Sequence, residues 1–406
     1  MIFYEDFDLR VESDGDRFTV QARRGSQVAT EPLEIDTTRF RDVRHLEGAD
    51  PETVRRKGAD LFDALIHGRV RDLYQRARGH AGGDSAAGLR IRLIFDPRDE
   101  RLRPLIRLPW EILRDRRDDA NDLPALDARR PVVRTLESFD QQLTPAGGPL
   151  QRVLLVLADP IASRALDLNR ERAAMEAALE RISIHPIVVA NATRDALFEA
   201  IADTNAQIVH FMGHSALEPE TGEGVLCLDD GHGNEDRLPG SVFAGFFAGK
   251  PAPRLLILTS CLSAAQGDGS PFAGIAFALV AAGLPAVIAM QSKVQDDSTS
   301  RFTERLYRRL SDGDPIEAAV ADARRALSIG YSKTLEWASP VLFMRDVPSP
   351  VAEKAAEKTE KAEKVAEPPP NTPTDPVVTW NINTKNARKQ TFVSGNYNDY
   401  GKADEA

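Results

Sequence analysis

The chain has 406 residues, enough for two or three domains, and its 42% hydrophobic and 28% charged residues are typical of a globular protein. With 62 acidic against 52 basic residues the net charge is −10, which argues against a protein that mainly coats nucleic acid, because phosphate neutralisation needs a basic surface. Only two cysteines, Cys227 and Cys261, are present, which argues against a disulfide-stapled secreted domain and favours a reducing, cytoplasmic setting. The first residues are acidic and lack an apolar run, so no secretory signal is predicted.

The first third of the chain, residues 1–148, is predicted to be an α+β part. Residues 7–11 and 17–20 alternate apolar and polar side chains around a Ser-Asp-Gly-Asp turn, which is the pattern of a β-hairpin. From residue 51 to residue 76 the apolar spacing becomes helical, with Asp50 as the N-cap residue. Residues 89–95 alternate again and predict a strand.

Residues 149–347 have the pattern of an α/β core. Ten segments are predicted, namely strands at 153–157, 187–190, 208–211, 255–258 and 286–290, and helices at 169–181, 194–204, 272–282, 298–311 and 315–328. Strands that alternate with helices of this length favour a mostly parallel sheet flanked by helices. The uncharged stretch between Asp268 and Lys293 is interrupted by Gly283 and Pro285, so it predicts a buried helix and a buried strand instead of a membrane span.

The end of the chain differs in composition from both parts. Residues 348–376 are a predicted linker, because 351–367 contain only Ala, Glu, Lys, Val and Thr and a proline-rich stretch follows. Residues 377–406 are rich in Asn, Thr and Ser and are too few to build a core of their own. The sequence predicts a disordered tail here or, alternatively, a short β-prone segment that assembles with others.

Two predicted core strands end on reactive side chains. The strand at 208–211 leads to His214, and the strand at 255–258 leads to Cys261. Catalytic groups gather at the carboxyl ends of parallel strands, so both side chains are expected at one edge of the sheet. A thiolate is a nucleophile, and a nearby imidazole supplies the base that forms it. The pattern alone also fits a small buried thiol and a histidine that only ends a strand.

Small residues flank both positions. Gly213, Ser215, Ser260 and Ser263 leave space for a substrate backbone, and they leave amide N–H groups that can bind an oxyanion.

Two other chemistries use the same residue types. A G-x-S-x-G serine elbow is approximated around Ser215, but Leu217 replaces the last glycine and no catalytic histidine follows late in the chain. His210 and His214 are four residues apart, as in a zinc-binding helix, but the glutamate of that motif is absent and the pair lies at a strand end. No metal and no cofactor are predicted. Cys227 lies in a strand-like apolar run and is expected in the core.

Seven segments occur in a fixed order along the chain: residues 108–113 (LPWEIL), 131–134 (PVVR), 210–215 (HFMGHS), 258–263 (LTSCLS), 294–299 (VQDDST), 313–327 and 337–343 (WASPVLF). In this order they resemble the landmarks of the CHAT domain of caspase-like cysteine peptidases. The resemblance extends from about the first hairpin to Arg345. It implies the α/β fold of the caspase and hemoglobinase clan, a mostly parallel sheet flanked by helices.

The resemblance also implies roles for individual residues. The chain would be a cysteine endopeptidase acting on a protein or peptide substrate, with Cys261 as the nucleophile and His214 as the general base or acid. His210 would support the site without acting as the base. The backbone amides of Cys261 and of either Gly213 or Ser215 would bind the oxyanion. This clan works with a dyad, so no third catalytic side chain is implied.

Substrate specificity does not follow from the resemblance. Gln291 and Ser292 replace a Leu-Trp or similar pair that many members have at the border of the substrate groove. Asp159 either lines a pocket for a basic P1 side chain, as a residue near this strand end does in relatives, or is the first residue of an Asp-Pro turn. The candidate pocket residues are therefore Asp159, Ser260 and Gln291.

Two functional classes stay open. One is an active cytoplasmic peptidase in a bacterial signalling, defence or cell-death pathway, which the presence of both dyad residues favours. The other is a catalytically silent adaptor. Residues 392–398 loosely resemble the short amyloid-signalling motifs of some bacterial cell-death effectors, which implies a sensor partner or self-association through residues 377–400. No nucleic acid and no membrane are predicted as partners.

Overall fold

The computed structural model describes residues 2–15, 17–40, 50–82, 87–117, 122–137, 143–148, 150–160, 168–259, 271–292, 294, 296–330 and 335–345. All of them belong to the first of two units into which the chain divides, Met1–Ser349 and Pro350–Ala406. The predicted linker and tail, from residue 348 onward, lie outside the described residues.

Thirteen strands are found in the described part. They are β1 (Phe3–Asp14), β2 (Arg17–Arg24), β3 (Gln27–Leu33), β4 (Ala87–Phe95), β5 (Val132–Leu136), β6 (Val153–Ala158), β7 (Ile187–Val189), β8 (Ile208–Leu217), β9 (Gly224–Asp229), β10 (Glu235–Pro239), β11 (Leu255–Thr259), β12 (Ala286–Met290) and β13 (Pro340–Arg345). The predicted hairpin is confirmed as β1 and β2, which pair antiparallel.

The described helices alternate with the core strands as predicted. They are α1 (Pro51–Leu65), α2 (Gly68–Gly82), α3 (Arg103–Ile106), α4 (Leu168–Glu180), α5 (Arg194–Thr204), α6 (Gly240–Gly245), α7 (Pro271–Ala281), α8 (Asp296–Ser311) and α9 (Ile316–Gly330). None of them is both long and apolar enough to cross a membrane.

The helical spacing predicted over residues 51–76 is confirmed as helix, which is divided between α1 and α2. The predicted N-cap is present, since the Asp50 carboxylate accepts a hydrogen bond from the backbone N–H of Thr53 at 2.8 Å. Ile66 then leaves the helical conformation, and Gly68 has a φ of +49° that a residue with a Cβ adopts only with strain. The apolar spacing continues across the break, so the pattern alone does not show that the helix is interrupted.

One continuous sheet joins the two predicted parts of the chain. Its strand order is β7-β6-β8-β11-β12-β13-β5-β4-β1-β2-β3, and β9 and β10 extend the far end of β8 as an antiparallel hairpin. The strands from β7 to β12 are parallel, as predicted, and β13 is antiparallel to β12. β13 also pairs with β5, so strands from residues 1–148 and from residues 149–347 share a single sheet.

The core strands are apolar along their whole length because helices cover both faces of the sheet. Every residue of β6, β11 and β12 is buried, which matches the continuous apolar runs in the sequence. β13, the last strand of the core in the sequence, pairs with β12 on one side and β5 on the other, so it is an interior strand of the sheet. The buried middle of the sheet therefore holds the carboxyl ends of β6, β8 and β11 in fixed positions.

Candidate active site

The carboxyl ends of three neighbouring parallel strands form the candidate site. β8 lies between β6 and β11. Ala158 at the end of β6 is paired with Gly213, and Thr259 at the end of β11 is paired with Met212. β8 continues past both neighbours and pairs with β9 from His214 onward. His214 is therefore the first residue of β8 beyond the ends of the two flanking strands.

His214 is buried, and a carboxylate holds one of its ring nitrogens. Its side chain is 6% exposed, and its Nε2 lies 3.1 Å from Oδ1 of Asp159. An ionised carboxylate only accepts hydrogen bonds, so Nε2 carries the proton and donates it. The other ring nitrogen, Nδ1, has no hydrogen-bond partner within the described part of the chain. In a neutral ring, Nδ1 is then the nitrogen that accepts a proton.

Gly213 allows β6 and β8 to approach each other just before His214. A Cβ at this position would lie 2.5 Å from the carbonyl oxygen of Ala158 and 2.9 Å from the ring of Phe211. The Ala158 carbonyl belongs to the backbone of β6, so it can move away only if β6 and β8 separate. The Phe211 ring is fully buried and close-packed, so it cannot move without disturbing its neighbours. Glycine is the residue type that this contact admits.

His210 lies in the core below the site and is connected to two other elements. Its Nε2 is 2.9 Å from Oγ1 of Thr259, and its Nδ1 is 3.3 Å from the hydroxyl of Tyr307 on α8. Thr259 in turn donates to the carbonyl of Phe211 at 3.3 Å, so its hydroxyl accepts from Nε2 of His210. Burial lowers the pKa of His210 to about 3. His210 is thus neutral and joins β8, β11 and α8.

Ser215 and Cys227 both lie next to His214 without contacting its ring nitrogens. The Ser215 hydroxyl is buried and has no hydrogen-bond partner among the described residues, so no described base activates it. Cys227 lies directly opposite His214 on β9, and its side chain is 2% exposed. Burial, together with the nearby Glu235 carboxylate, raises the pKa of the Cys227 thiol to about 12. The predicted core position of Cys227 agrees with this burial.

Gln291 follows β12 at the same edge of the sheet, but its amide is bound within the protein. Its Nε2 donates to Glu111 at 2.9 Å and to the carbonyl of Ala338 at 2.7 Å, and its Oε1 accepts from Arg134 at 3.1 Å. Arg134 and Glu111 form an ion pair in which both side chains are 1% exposed. The structure therefore places this candidate pocket residue in a buried polar network, apart from His214.

The second half of the predicted dyad, Cys261, and the candidate pocket residue Ser260 lie outside the described residues. Thr259 is the last described residue before them. Within the described ranges no group of three His, Cys, Asp or Glu side chains is arranged to hold a metal ion.

The contact between Asp159 and His214 is the feature that sequence reasoning missed. The sequence around Asp159 suggested a pocket or turn role because it contains only this residue's own strand end. Once β6 and β8 are known to be neighbours, their register brings the two residues together, since Ala158 is paired with Gly213 and each chain then advances by one residue. The missing information was the strand order, which no local pattern contains.

One known protein family has a sequence model that matches most of the chain. The sequence model of the CHAT domain family matches residues 55–345. No curated protein matches the chain.

The solved structures that are similar to the chain at low identity include the following three. Separase in the Saccharomyces cerevisiae separase–securin complex is 11% identical with a TM-score of 0.42, and the match covers 84% of this chain but only 30% of the separase chain. The Arg-specific cysteine proteinase gingipain R is 12% identical with a TM-score of 0.42, over 79% of both chains. The Drosophila initiator caspase Dronc is 9% identical with a TM-score of 0.29, over 50% of this chain and 90% of that one.

Proposed function

Because the chain belongs to the CHAT domain family, we propose that it is a cysteine endopeptidase that cuts protein substrates with His214 and Cys261. The observation that carries the proposal is the environment of His214. This imidazole is buried on the central strand β8, just beyond the ends of β6 and β11, one nitrogen is bound to a carboxylate, and the other has no described partner. A histidine held in this way can take a proton from a nucleophile and return it.

The register of the sheet supports Cys261 as that nucleophile. Thr259 is paired with Met212, and Cys261 and His214 each follow their member of this pair by two residues. Two residues of extended chain span about 7 Å, so covalent connectivity keeps the Cα of Cys261 within about that distance of the Cα of Thr259. The other thiol of the chain, Cys227, is buried with a raised pKa and is a poor nucleophile.

The chemistry is acyl transfer in two steps. The thiol proton of Cys261 moves to Nδ1 of His214, and the sulfur attacks the carbonyl carbon of the scissile peptide bond. The backbone amides of Cys261 and of Gly213 or Ser215 bind the resulting oxyanion. His214 gives its proton to the departing amine as the C–N bond breaks, and a water molecule then releases the acyl group as a carboxylic acid and restores the thiol.

The test is a comparison of protein N-termini generated in a cell lysate by the full-length chain and by its variants. Cys261→Ala and His214→Ala should each abolish the new termini, since the two residues act as a unit. Cys227→Ala is the matched control, because it removes the chain's other thiol, and it should retain cleavage. If neither the wild type nor Cys261→Ala adds termini to those of the untreated lysate, the catalytically silent adaptor would be left as the function, whereas equal cleavage by both would refute Cys261 as the nucleophile.

The pathway rests on the tail sequence alone. A cytoplasmic bacterial signalling, defence or cell-death peptidase would be recruited or clustered through residues 377–400, and proximity would switch it on. A synthetic peptide of residues 377–406 should then form fibrils with the cross-β spacing of about 4.7 Å. A peptide that stays monomeric at high concentration, with full activity in a chain that ends at residue 367, would contradict this part of the proposal.

A further inference from the structure

The carboxylate of Asp159 is positioned on His214 by the register of two strands. Ala158 of β6 is paired in parallel with Gly213 of β8, and the next residues are Asp159 and His214. The close approach that Gly213 allows keeps the two backbones together at this point. The result is the contact of 3.1 Å between Asp159 Oδ1 and His214 Nε2, with Asp159 25% exposed and His214 6% exposed.

This contact determines which nitrogen of His214 is the base. The carboxylate requires a proton on Nε2, so the lone pair of the neutral ring is on Nδ1. The two ring nitrogens face away from each other. β6 with Asp159 is on one side of β8, and β11, whose chain continues into Cys261, is on the other. A carboxylate on the β6 side thus leaves Nδ1 for a nucleophile from the β11 side.

We propose that Asp159 is a positioning residue that fixes the tautomer and orientation of His214 and stabilises the imidazolium formed when the nucleophile loses its proton. The inference rests on the proposed function and deepens it, because it replaces a two-residue site by a chain of three groups. This role of Asp159 requires no contact with the substrate or the nucleophile. It acts on the reaction only through the imidazole of His214.

The variant that tests the role is Asp159→Asn, which keeps the shape of the side chain and removes its charge. The amide can also donate to Nε2, which favours the wrong tautomer. In Asp159→Asn the imidazolium lacks its hydrogen bond to a charged carboxylate. We therefore expect kcat to fall by about 10- to 100-fold, while KM stays within about 2-fold. The fall should be the same for substrates with Arg, Lys, Leu or Ala at P1.

Asp230→Asn is the matched control for loss of a carboxylate. Asp230 also follows a strand and accepts backbone hydrogen bonds, from His232 at 2.7 Å and Asn234 at 3.0 Å, but it has no described contact with His214. This variant should keep the wild-type kcat. If Asp230→Asn lowers kcat as much as Asp159→Asn does, the effect belongs to carboxylate loss in general and the proposal is wrong.

A spectroscopic measurement gives a readout that does not depend on activity. The full-length chain labelled with ¹⁵N-histidine should show, for the signal that disappears in His214→Gln, the shift pattern of a ring protonated on Nε2. Asp159→Asn should change that pattern, and Asp230→Asn should not. An unchanged pattern in Asp159→Asn would overturn the proposal.

The substrate series separates this role from the pocket role. A loss confined to Arg and Lys at P1, with other substrates cleaved at the wild-type rate, would mean that Asp159 binds the substrate side chain and would also overturn the proposal. Failure of the proposed function would give a different result. Cleavage by Cys261→Ala would refute Cys261 as the nucleophile, whereas the tautomer of His214 could still depend on Asp159.

Discussion

Alkylation of the native chain should modify one of its two thiols and stop cleavage. When the full-length protein is treated with iodoacetamide, we expect a single adduct at Cys261 and loss of activity in proportion to that adduct. Cys227 should stay unmodified on the same time scale. The two cysteines thereby act as internal controls for each other, because they are the only thiols in the sequence.

The expected selectivity follows from the environment of Cys227. Its side chain is 2% exposed, and burial with the neighbouring Glu235 raises its pKa from 9.0 to about 12. Alkylation requires the thiolate. At about pH 7.5 the thiolate fraction is roughly 3 in 100 for a pKa of 9 and roughly 3 in 100,000 for a pKa of 12, so Cys227 should react about a thousandfold more slowly than an ordinary thiol, before restricted access is counted.

Intact-mass spectrometry with peptide mapping measures both sites. The denatured chain should take up two adducts and the native chain one, and native Cys227→Ala should label like the native wild type. Labelling of Cys227 in the native chain at the rate seen in the denatured chain would refute the burial argument. Full activity after complete alkylation of Cys261 would refute the proposed nucleophile.

Three further changes have outcomes that follow from described contacts. Glu111→Gln breaks the buried ion pair with Arg134 and should lower the free energy of unfolding, measured in urea, by about 3 to 5 kcal/mol. A decrease below about 1 kcal/mol, which is typical of an exposed ion pair, would contradict this expectation. Gly213→Ala forces a Cβ against the carbonyl oxygen of Ala158, so we expect a lower melting temperature and a lower kcat. Wild-type values for both quantities would show that β6 and β8 can separate freely at this point. His210→Leu removes a group that is neutral when folded, with a pKa of about 3, and protonated when unfolded below about pH 6.5. The free energy of unfolding of the wild type therefore decreases as the pH falls from 6.5 to 3. In urea titrations this decrease should be smaller for the variant by about 1.4 kcal/mol per pH unit. A difference between the two proteins that does not change with pH would contradict the argument.

The core strands could be predicted from sequence because burial on both faces leaves a direct mark on composition. β6, β11 and β12 are runs of Val, Leu, Ile, Ala, Thr and Met, and all of their residues are buried. Such continuous apolar runs are typical of strands that are buried on both faces. The pattern also placed a buried strand just before His214, but it ended that strand at residue 211, whereas β8 continues to Leu217 through its pairing with β9. The burial and the neighbours of His214 required the order of the strands.

Other features depend on contacts between residues that are far apart in sequence. Gln291 is bound to Glu111, which lies 180 residues before it, so no local pattern links the two. The pairing of β13 with β5 is of the same kind. The break between α1 and α2 leaves no mark in the pattern for a different reason, because Val70 and Leu73 on α2 continue the apolar spacing of α1 and are buried in the same core.

The strand that holds His214 explains why this residue, and not a loop residue, is suited to be the base. β6 and β11 end beside Gly213 and Met212, yet β8 continues to residue 217 because β9 pairs with it from His214 onward. The imidazole is therefore held by a paired strand at the level where β6 and β11 end. A side chain fixed by regular backbone hydrogen bonds keeps its position more closely than one on a loop, and proton transfer is sensitive to small displacements. The hairpin of β9 and β10 thus maintains the geometry of His214, and Asp159 follows directly after β6. In the proposed site, Cys261 comes from the segment after β11.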